Sequence, residues 1–573
     1  MSLKSLLLAL TTSASLALSA QTYQFTHYIE GTDSIVVDKK SWVGIDRLRL
    51  SWAAPDFRFV KHQAPGFPLC ADTSLTAWQG ENLLLQAVAI VPKTLGKVRL
   101  EVKQTQGVTT TATAKFLRYV LTDDFAACGK NPRSMPPYLV ADIIDSPTLY
   151  LEGETVRPFV VSVEAPRNSV AQDIRLEVKL VNDFTNQTLS TLHATVKLAA
   201  RQLPAPKDYG MHIDFWQQPY AVSRAYNVPR WSKAHFEKLR PYMQLLARSG
   251  QKVASAFLFY EPWGIQSQDK FTPLIRTTKC KDGLWLYDYT DFDKWINFLA
   301  SCGIDAQINC YSMVPWDMTF RYYDEALGRN VDLKTTTSSP EYKALWTPFL
   351  KAFAAHLKEK GWFEKTCIAM DERGLPNMLD AYKIVQEAAP GMKIALAGNY
   401  HKELVDKLYD YSLAYGQHFS KEELAMRRAK GGKSTMYTCC AHNHPGFFTA
   451  SLPTEPAYLA LYCAANDFDG YLHWSWMNWS THPLTDSRYF LFQPGDTYII
   501  YPGKRSSLRW EHFLDGLQQA EKLRLLKEDY EKMGNAEGLA TLNDALSAFK
   551  AEAVVPEAIA EKIAKLKQLL NAL

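Results

Sequence analysis

Two different patterns of hydrophobic and polar residues divide the chain. From residue 21 to about residue 203, short runs of β-branched and alternating residues recur, with Gly, Pro, Asn and Asp between them. Runs of this kind, such as "KVRLEVKQ" and "RPFVVSVEAP", are typical of β-strands. Because no long helical period interrupts them, the pattern predicts an N-terminal antiparallel β-sandwich over residues 21–203.

The pattern changes after the proline-containing segment "RQLPAPKDYG". From there, eight apolar strand-like runs alternate with helical or irregular chain. The insertion "IRTTKCKDGLWLYDY" after the second run indicates a hairpin, and "KELVDKL" after the fifth run indicates a helix. The runs are apolar on both faces, as buried parallel strands are. We therefore predict a (β/α)8 barrel of the TIM type over residues 204–530, followed by a C-terminal helical extension over the Ala-, Leu- and Lys-rich residues 531–573. A doubly wound open sheet is the alternative, but the first strand is not followed by a glycine-rich phosphate loop.

The N-terminus has the features of a targeting segment. Lys4 precedes an apolar stretch over residues 5–18, and small residues follow at positions 19 and 20. This pattern predicts a signal peptide over residues 1–20 and export of the mature chain, either to the periplasm or out of the cell. No later stretch is apolar for long enough to predict a transmembrane segment.

Composition narrows the classes of function. A chain of 573 residues with 47% hydrophobic residues is not disordered. The net charge of +4, from 64 basic and 60 acidic residues, gives no electrostatic argument for a nucleic-acid partner. Aromatic residues make up 12% of the chain and include 15 Trp, a supply that serves either sugar-binding clefts or large cores.

The cysteine positions and the absence of metal-binding motifs argue against a metal site. Cys70 and Cys128 are the only two of the nine cysteines in the first 200 residues and could pair, whereas several others lie in apolar runs that indicate buried thiols. The sequence contains no C-x-x-C or H-E-x-x-H spacing. We therefore predict no metal and no other cofactor.

The sharpest chemical feature is a pair of adjacent acids. Asp371 and Glu372 follow the apolar run "CIAM" at the end of the fourth predicted barrel strand, where barrel enzymes place their active sites. Two carboxylates this close raise the pKa of one of them, and an acid with a raised pKa can protonate a leaving group near neutral pH. The pair is therefore predicted to be catalytic. The alternative is a solvated strand end with Arg373 as the partner of the acids.

The same strand-end rule nominates substrate-binding residues on the other strands. On the eighth strand, "YLHWSWMNW" supplies flat aromatic faces that can stack on pyranose rings. We expect some of its tryptophans to line the cleft and others to pack in the core. The substrate-binding residues predicted in this way are Asp214, Glu261, Asn309, Tyr311, Tyr415, Tyr437, Trp474, Trp476 and Trp479.

Three segments in a fixed order carry a family resemblance. They are "MDE" at 370–372, "GYLHWSWMNW" at 470–479, and the segment Gly495–Leu523 with its Gly turn and Arg-bearing helix. On these segments the chain resembles glycoside hydrolase family 123, the β-N-acetylgalactosaminidase-like enzymes, over nearly the whole mature chain. The resemblance implies hydrolysis of a glycan that carries β-linked N-acetylhexosamine, with N-acetylgalactosamine favoured.

The resemblance also implies a mechanism. In such enzymes the 2-acetamido oxygen of the substrate attacks the anomeric carbon and forms an oxazolinium ion, so that configuration is retained without an enzyme nucleophile. Glu372 would be the general acid and then the base for water, and Asp371 would accept the acetamido N–H. From their strand positions alone, Tyr311, Tyr415 and Tyr437 are candidates for hydrogen bonds around the acetamido group.

Three alternatives come from other classes of protein. A glycosidase for sugars without an acetamido group would need a second carboxylate, such as Glu261 or Asp214. A non-catalytic glycan-binding protein of the envelope would keep the tryptophans but would not need Glu372. A metal-dependent hydrolase is disfavoured, because no known ligand spacing is present in the set His212, His442, His444 and His473. The oligomeric state is left open.

Overall fold

The structure is a computed structural model that describes residue 25 and residues 28–32, 37–123, 128, 136–489 and 491–573. The predicted signal peptide, residues 1–20, lies outside the described residues. Among the residues that the structure describes, no helix is long and apolar enough to cross a membrane.

The front part of the described chain is a β-sandwich, as predicted. Its strands are β1 (Arg49–Ala53), β2 (Asp72–Gln79), β3 (Asn82–Val91), β4 (Gly96–Gln106), β5 (Thr111–Thr122), β6 (Tyr138–Ile144), β7 (Thr148–Leu151), β8 (Thr155–Glu164), β9 (Gln172–Asn182) and β10 (Thr188–Gln202). One sheet has the order β1-β3-β8-β5-β6 and the other β2-β10-β9-β4-β7. Alternate residues of β9 are buried, which is the pattern of a strand with one face on a core. The pairing is antiparallel except between β2 and β10, which run parallel at one edge of their sheet.

The second part contains the predicted eight-stranded parallel barrel. Its strands are β11 (His212–Phe215), β12 (Val253–Phe257), β15 (Gln307–Tyr311), β18 (Thr366–Asp371), β19 (Lys393–Gly398), β20 (Asp410–Ala414), β21 (Lys433–Tyr437) and β22 (Gly470–His473). Each strand pairs with its neighbour in chain order, and β22 pairs with β11. A single bridge between Ile213 of β11 and Gln251, two residues before β12, nearly closes the barrel. β12 and β15 are buried along their whole length, as predicted for strands covered on both faces.

Helices cover the outside of the barrel. They are α1 (Pro219–Tyr226), α2 (Lys233–Ala247), α3 (Thr290–Ala300), α4 (Pro340–Glu359), α5 (Leu375–Ala388), α6 (Lys421–Ala429) and α7 (Glu455–Ala465). Helix α4 begins where the Ser339 hydroxyl accepts the N–H of Tyr342, with Pro340 at the first helical position. The helix expected after the fifth barrel strand is only a 3-10 turn, Lys402–Leu404.

Two insertions join into a small sheet beside the barrel. The expected hairpin is present as β13 (Arg276–Lys279) and β14 (Trp285–Asp288), and a second hairpin, β16 (Thr319–Asp324) and β17 (Arg329–Lys334), pairs with it. The order is β14-β13-β16-β17. The sequence predicted the first hairpin but not this pairing, which joins the segments that follow barrel strands β12 and β15.

C-terminal helices pack against the front domain, and a disulfide joins the front domain to the barrel. A short strand, β23 (Ser506–Ser507), extends the β6 edge of the sandwich, and it is followed by α8 (Leu508–Met533), α9 (Ala536–Ser547) and α10 (Ile559–Ala572). Residue 530, the predicted boundary between the barrel and the helical extension, lies within helix α8. The predicted domain limits stay a prediction. Cys128 pairs with Cys440, 312 residues away, and Cys70 is free, so the suggested pairing of Cys70 with Cys128 was wrong.

Candidate active site

The acid pair lies at the carboxyl end of the fourth barrel strand, as predicted. Asp371 is the last residue of β18, and Glu372 follows it with a φ of +46°, which is an unusual backbone conformation for a residue other than glycine. The Glu372 N–H donates to the Ala397 carbonyl oxygen on β19 at 2.6 Å, which anchors this turn to the sheet. The two neighbouring carboxyls have different partners.

Asp371 is partly buried and is held by residues of two loops. The indole Nε1 of Trp316 donates to its Oδ2 at 3.2 Å. The Arg373 guanidinium lies 3.7 Å from the centre of the Trp316 ring, and its Nε donates to the Asp371 carbonyl oxygen at 2.5 Å. Burial raises the pKa of Asp371 to about 7, assisted by the negative charge of Glu372 and opposed by Arg373. A proton is therefore available on this carboxyl near neutral pH.

Glu372 is exposed and is held by a tyrosine from another strand. The Tyr437 hydroxyl, at the end of β21, donates to Glu372 Oε1 at 2.8 Å. Burial, followed by the charge of Glu372, raises the pKa of Tyr437 far above its ordinary value. Tyr437 therefore remains a hydrogen-bond donor at physiological pH. One of the three predicted tyrosines thus contacts the acid pair.

The other two predicted tyrosines lie elsewhere. Tyr311 is buried and packs on Trp216 and Trp263, with ring centroids 4.4 Å and 5.7 Å apart. Tyr415 donates its hydroxyl to the Glu552 carbonyl oxygen at 2.9 Å, in the segment before α10. Tyr415 therefore fastens the C-terminal segment, which corrects its predicted place around the substrate.

Asp214 and Asn309 lie inside the barrel and not at its mouth. The Asn309 amide donates to Asp214 Oδ2 at 3.3 Å, and both residues are almost fully buried. Below them, Gln307 donates to Asp410 Oδ2 at 2.7 Å. The prediction that Asp214 and Asn309 bind substrate was wrong, because these side chains point from their strands into a sealed polar interior.

The three tryptophans that follow β22 differ in burial. Trp476 and Trp479 are 0% and 1% exposed, so the prediction that they bind substrate was wrong. Trp476 packs on Trp510 with ring centroids 4.4 Å apart, and Trp479 donates to the Ile500 carbonyl oxygen at 2.7 Å. Trp474 is half-buried. Of the three, Trp474 therefore stays the stacking candidate.

Two residues of the site were missed by the sequence analysis. Asp496 accepts the Trp474 indole N–H on Oδ2 at 3.0 Å, burial raises its pKa to about 7, and its Oδ1 has no partner among the described residues. Its sequence signal was its place in the Gly495–Leu523 segment. Trp316 was missed because it lies five residues beyond the end of β15, in the loop, whereas only strand-end residues were considered.

Glu261, the remaining predicted residue, lines a groove that also includes Asp317, the residue after Trp316. It follows β12 by four residues in a left-handed turn with a φ of +51° and is half-buried. Its groove neighbours include Tyr260 and Arg321.

One cluster of possible metal-binding side chains occurs in the described part of the chain, formed by Cys128, Cys439 and Cys440. Two of these sulfurs form the disulfide, which leaves one thiol. Such a cluster does not supply the ligands of a metal centre.

Comparisons with known proteins show the family and the fold of this chain. A model described as the glycoside hydrolase 123 catalytic domain matches residues 216–526, and a model of the glycoside hydrolase 123 N-terminal domain matches residues 52–179. A family 123 glycoside hydrolase from Clostridium perfringens has the same fold, with a TM-score of 0.82 and 24% identity over 92% of this chain and 98% of its own. A candidate glycoside hydrolase from Bacteroides vulgatus is 14% identical over 80% of this chain and 79% of its own, but its TM-score of 0.32 supports no argument. No curated protein matches.

Proposed function

The chain belongs to glycoside hydrolase family 123, and we propose that it hydrolyses β-linked N-acetylhexosamine, with N-acetylgalactosamine favoured, with retention of configuration. The observation that carries this proposal is the acid pair, in which Asp371 and Glu372 are adjacent but held by different partners, Trp316 and Tyr437. Two acids arranged in this way can act on two groups of one sugar. The Clostridium perfringens relative is described in connection with glycolipid glycan hydrolysis, which supports a glycan substrate.

In the first step, the acetamido oxygen of the substrate attacks the anomeric carbon as the bond to the leaving oxygen breaks. Glu372 gives its proton to that oxygen, and Asp371 accepts the acetamido N–H and stabilises the positive charge of the oxazolinium ion. Because burial raises the pKa of Asp371 to about 7, the free site holds a proton near neutrality. The approach of the N–H favours ionised Asp371 and releases that proton for Glu372.

In the second step, water attacks the anomeric carbon from the face that the leaving group left. Glu372 takes a proton from this water, the carbon–oxygen bond of the oxazolinium ring breaks, and the acetamido group is restored. The Tyr437 hydroxyl bonds Glu372 Oε1 and leaves the other carboxyl oxygen for proton transfer. Trp474, fixed by Asp496, is the stacking surface that holds the sugar ring for attack.

A glycosidase with an enzyme nucleophile has less support. Asp214, one of the two carboxyls nominated for that role, is bonded inside the barrel and is 2% exposed. Glu261, the other, faces the neighbouring groove and makes no hydrogen bond to the acid pair within the described chain. The substrate-assisted route needs neither residue.

Export of the enzyme is part of the proposal. The predicted signal peptide motivates it, and the Cys128–Cys440 disulfide is of the kind that persists in oxidising compartments.

A panel of chromogenic β-glycosides tests the proposed function. We expect turnover of the N-acetylgalactosaminide or the N-acetylglucosaminide, and no turnover of the galactoside or the glucoside. The Glu372→Gln variant, purified in the same way, controls for contaminating hydrolases. Equal turnover of the acetamido and hydroxy sugars would contradict the proposal.

A further inference from the structure

A cleft of about 790 Å³ lies between the front domain and the C-terminal helix α10. Residues of β1, β2 and β3 line one side of it, and residues of α10 line the other. The Asn571 amide of α10 donates to the Thr76 carbonyl oxygen of β2 at 2.9 Å, which holds the two sides together. The cleft shares no lining residue with the acid pair or with the side chains that hold the pair. Its volume is in the range of small-molecule sites, roughly 300–1,000 Å³.

Two buried side chains that line the cleft have a polar atom without a partner. Thr454 and His512 are 3% and 4% exposed, and within the described chain neither Thr454 Oγ1 nor His512 Nε2 makes a hydrogen bond. Thr454 precedes helix α7, where a threonine hydroxyl usually accepts a backbone N–H of the first turn. Here the Ala457 N–H donates to the Thr454 carbonyl oxygen at 3.0 Å, and the hydroxyl stays free. Because unpaired buried polar groups are costly, a ligand that pairs with both of them is favoured.

The charges around the cleft select a neutral ligand. Burial lowers the pKa of His512 to about 4, so that its imidazole is uncharged near pH 7. Each oxygen of the Asp515 carboxylate accepts from Lys567 Nζ at 3.0 Å, and the two charges compensate each other. Lys197 is the other charged side chain of the lining, and it is exposed to solvent. A hydroxyl group, which both donates and accepts, therefore suits these groups better than an ion does.

The apolar part of the lining suits the ring of a sugar. The indole N–H of Trp52 already donates to the Ala71 and His193 carbonyl oxygens, at 3.1 Å and 2.9 Å, so that its ring carbons are what the cleft offers a ligand. On α10, the small residues Ala560 and Ala564 lie one turn apart and leave room for a ligand. An apolar surface beside a few hydroxyl-binding groups matches a pyranose, which has a C–H face and a hydroxyl edge.

We propose that this cleft is a second, non-catalytic carbohydrate site that binds a neutral sugar, with Thr454 and His512 pairing with its hydroxyl groups. The site takes no part in bond cleavage, and its existence does not depend on the proposed function. A glycan held in the cleft by one of its sugars stays at a high effective concentration near the enzyme, without any contact to the acid pair.

Calorimetric titration of the full chain with lactose, maltose and cellobiose tests the proposal. We expect at least one of these neutral disaccharides to bind the wild type. Thr454→Val removes the hydroxyl and keeps the shape of the side chain, so it should raise the Kd about five-fold through the loss of one hydrogen bond. Thr541→Val, on the exposed surface of α9, is the matched control and should keep the wild-type Kd. If no disaccharide binds, or if the two variants bind equally well, the cleft is not a sugar site.

A second pair of variants closes the cleft by volume. Ala564→Leu should abolish detectable binding, whereas Ala540→Leu, on the exposed surface of α9, should keep it. Both variants should melt near the wild-type temperature, because alanine and leucine have similar helix propensities. Both should also keep kcat/KM for an aryl β-N-acetylhexosaminide. Unchanged sugar binding in Ala564→Leu overturns the proposal, and so does a loss of sugar binding that is accompanied by an equal loss of kcat/KM.

The choice of a neutral ligand has its own test. The trisaccharide 3′-sialyllactose carries a carboxylate, and we expect it to bind no more tightly than the best of the neutral disaccharides. Tighter binding of 3′-sialyllactose that Thr454→Val weakens would show an anion site and overturn the proposal. These binding results stand whether or not acetamido glycosides are hydrolysed, so failure of the proposed function is seen separately.

Discussion

Asp371 and Asp214 are both carboxyls of the same barrel, and burial raises the pKa of each, yet their surroundings differ. Asp371 ends its strand next to an exposed second acid, Glu372, and a tryptophan from a loop. Asp214 lies within its strand and is bonded to Asn309 in the sealed interior. A raised pKa therefore reports burial, and only access together with a second acid makes the carboxyl useful for catalysis.

The largest expected effect is a loss of activity in Glu372→Gln that does not occur in Asp214→Asn. Glu372→Gln should lower kcat on a natural glycan by ~10²–10⁴-fold, because general acid and base assistance is lost. An aryl substrate with an activated leaving group should lose less in its first step.

Asp214→Asn is the control for Glu372→Gln. Burial and the charge of Asp410 raise the pKa of Asp214 well above its usual value, which favours the neutral form that the Asn amide imitates. Activity per folded molecule should be kept. Equal activity losses in the two variants would contradict the distinction between the accessible and the sealed acid.

The tryptophans also differ between a buried residue, Trp476, and a more accessible one, Trp474. Trp476→Ala should lower the free energy of unfolding by about 3–5 kcal/mol, because a fully buried ring is removed. Trp474→Ala should mainly lower kcat/KM and leave the melting temperature close to that of the wild type. Denaturant unfolding and kinetics on both variants check this prediction, and a reversed pattern would place the stacking surface elsewhere.

Asp371→Asn should change stability in a pH-dependent way. The folded pKa of Asp371, about 7, lies above its value of 3.8 in the unfolded chain. The stability that the protonated carboxyl contributes is therefore present at low pH and lost as pH rises through 7. The Asn variant should therefore exceed the wild type in free energy of unfolding. This difference should grow from about pH 4 and level off above about pH 7, at up to roughly 4 kcal/mol. Urea unfolding at pH 5, 7 and 8 measures this difference. A difference that does not depend on pH would show that Asp371 is not protonated in the folded state.

The catalytic effect of Asp371→Asn has a separate signature. Because its charge matters most in the oxazolinium-like transition state, kcat and kcat/KM should fall together. A variant that mainly raises KM would make Asp371 a ground-state binding residue.

The smallest effect compares two tyrosines. Tyr437→Phe removes the hydrogen bond to Glu372 and should lower kcat by about ten-fold, the size expected for one hydrogen bond to a charged group. Tyr415→Phe removes only a bond to the C-terminal segment and should keep kcat. Equal losses of kcat in the two variants would mean that the hydrogen bond to Glu372 is not what makes Tyr437 important for catalysis.

Periodicity predicted the fold well, because each strand and helix shows its burial in its own residues. It could not predict contacts between distant segments. The pairing of the two inserted hairpins and the Cys128–Cys440 disulfide, which spans 312 residues, have no local signal. The 3-10 turn after β19 was read as a helix for a related reason, since a short amphipathic run does not show its own length.

The strand-end rule located the acid pair but could not give side-chain directions. Asp214 is the third of four residues in β11 and points inward. Strand β22 ends at His473, so the alternation of a strand does not give the directions of Trp474, Trp476 and Trp479 in the irregular chain after it. Asp496 and Trp316 come from loops, whose course the sequence pattern does not determine.

The participation of the substrate's own acetamido group is the central claim, and one rate series tests it most directly. Aryl β-N-acetylhexosaminides with none, one, two or three fluorines on the acetyl group differ in the nucleophilicity of the carbonyl oxygen. If that oxygen attacks the anomeric carbon, kcat/KM of the wild-type enzyme should fall steeply with each added fluorine. A kcat/KM that does not depend on fluorine number would mean that an enzyme carboxylate or water attacks instead, and would contradict the account.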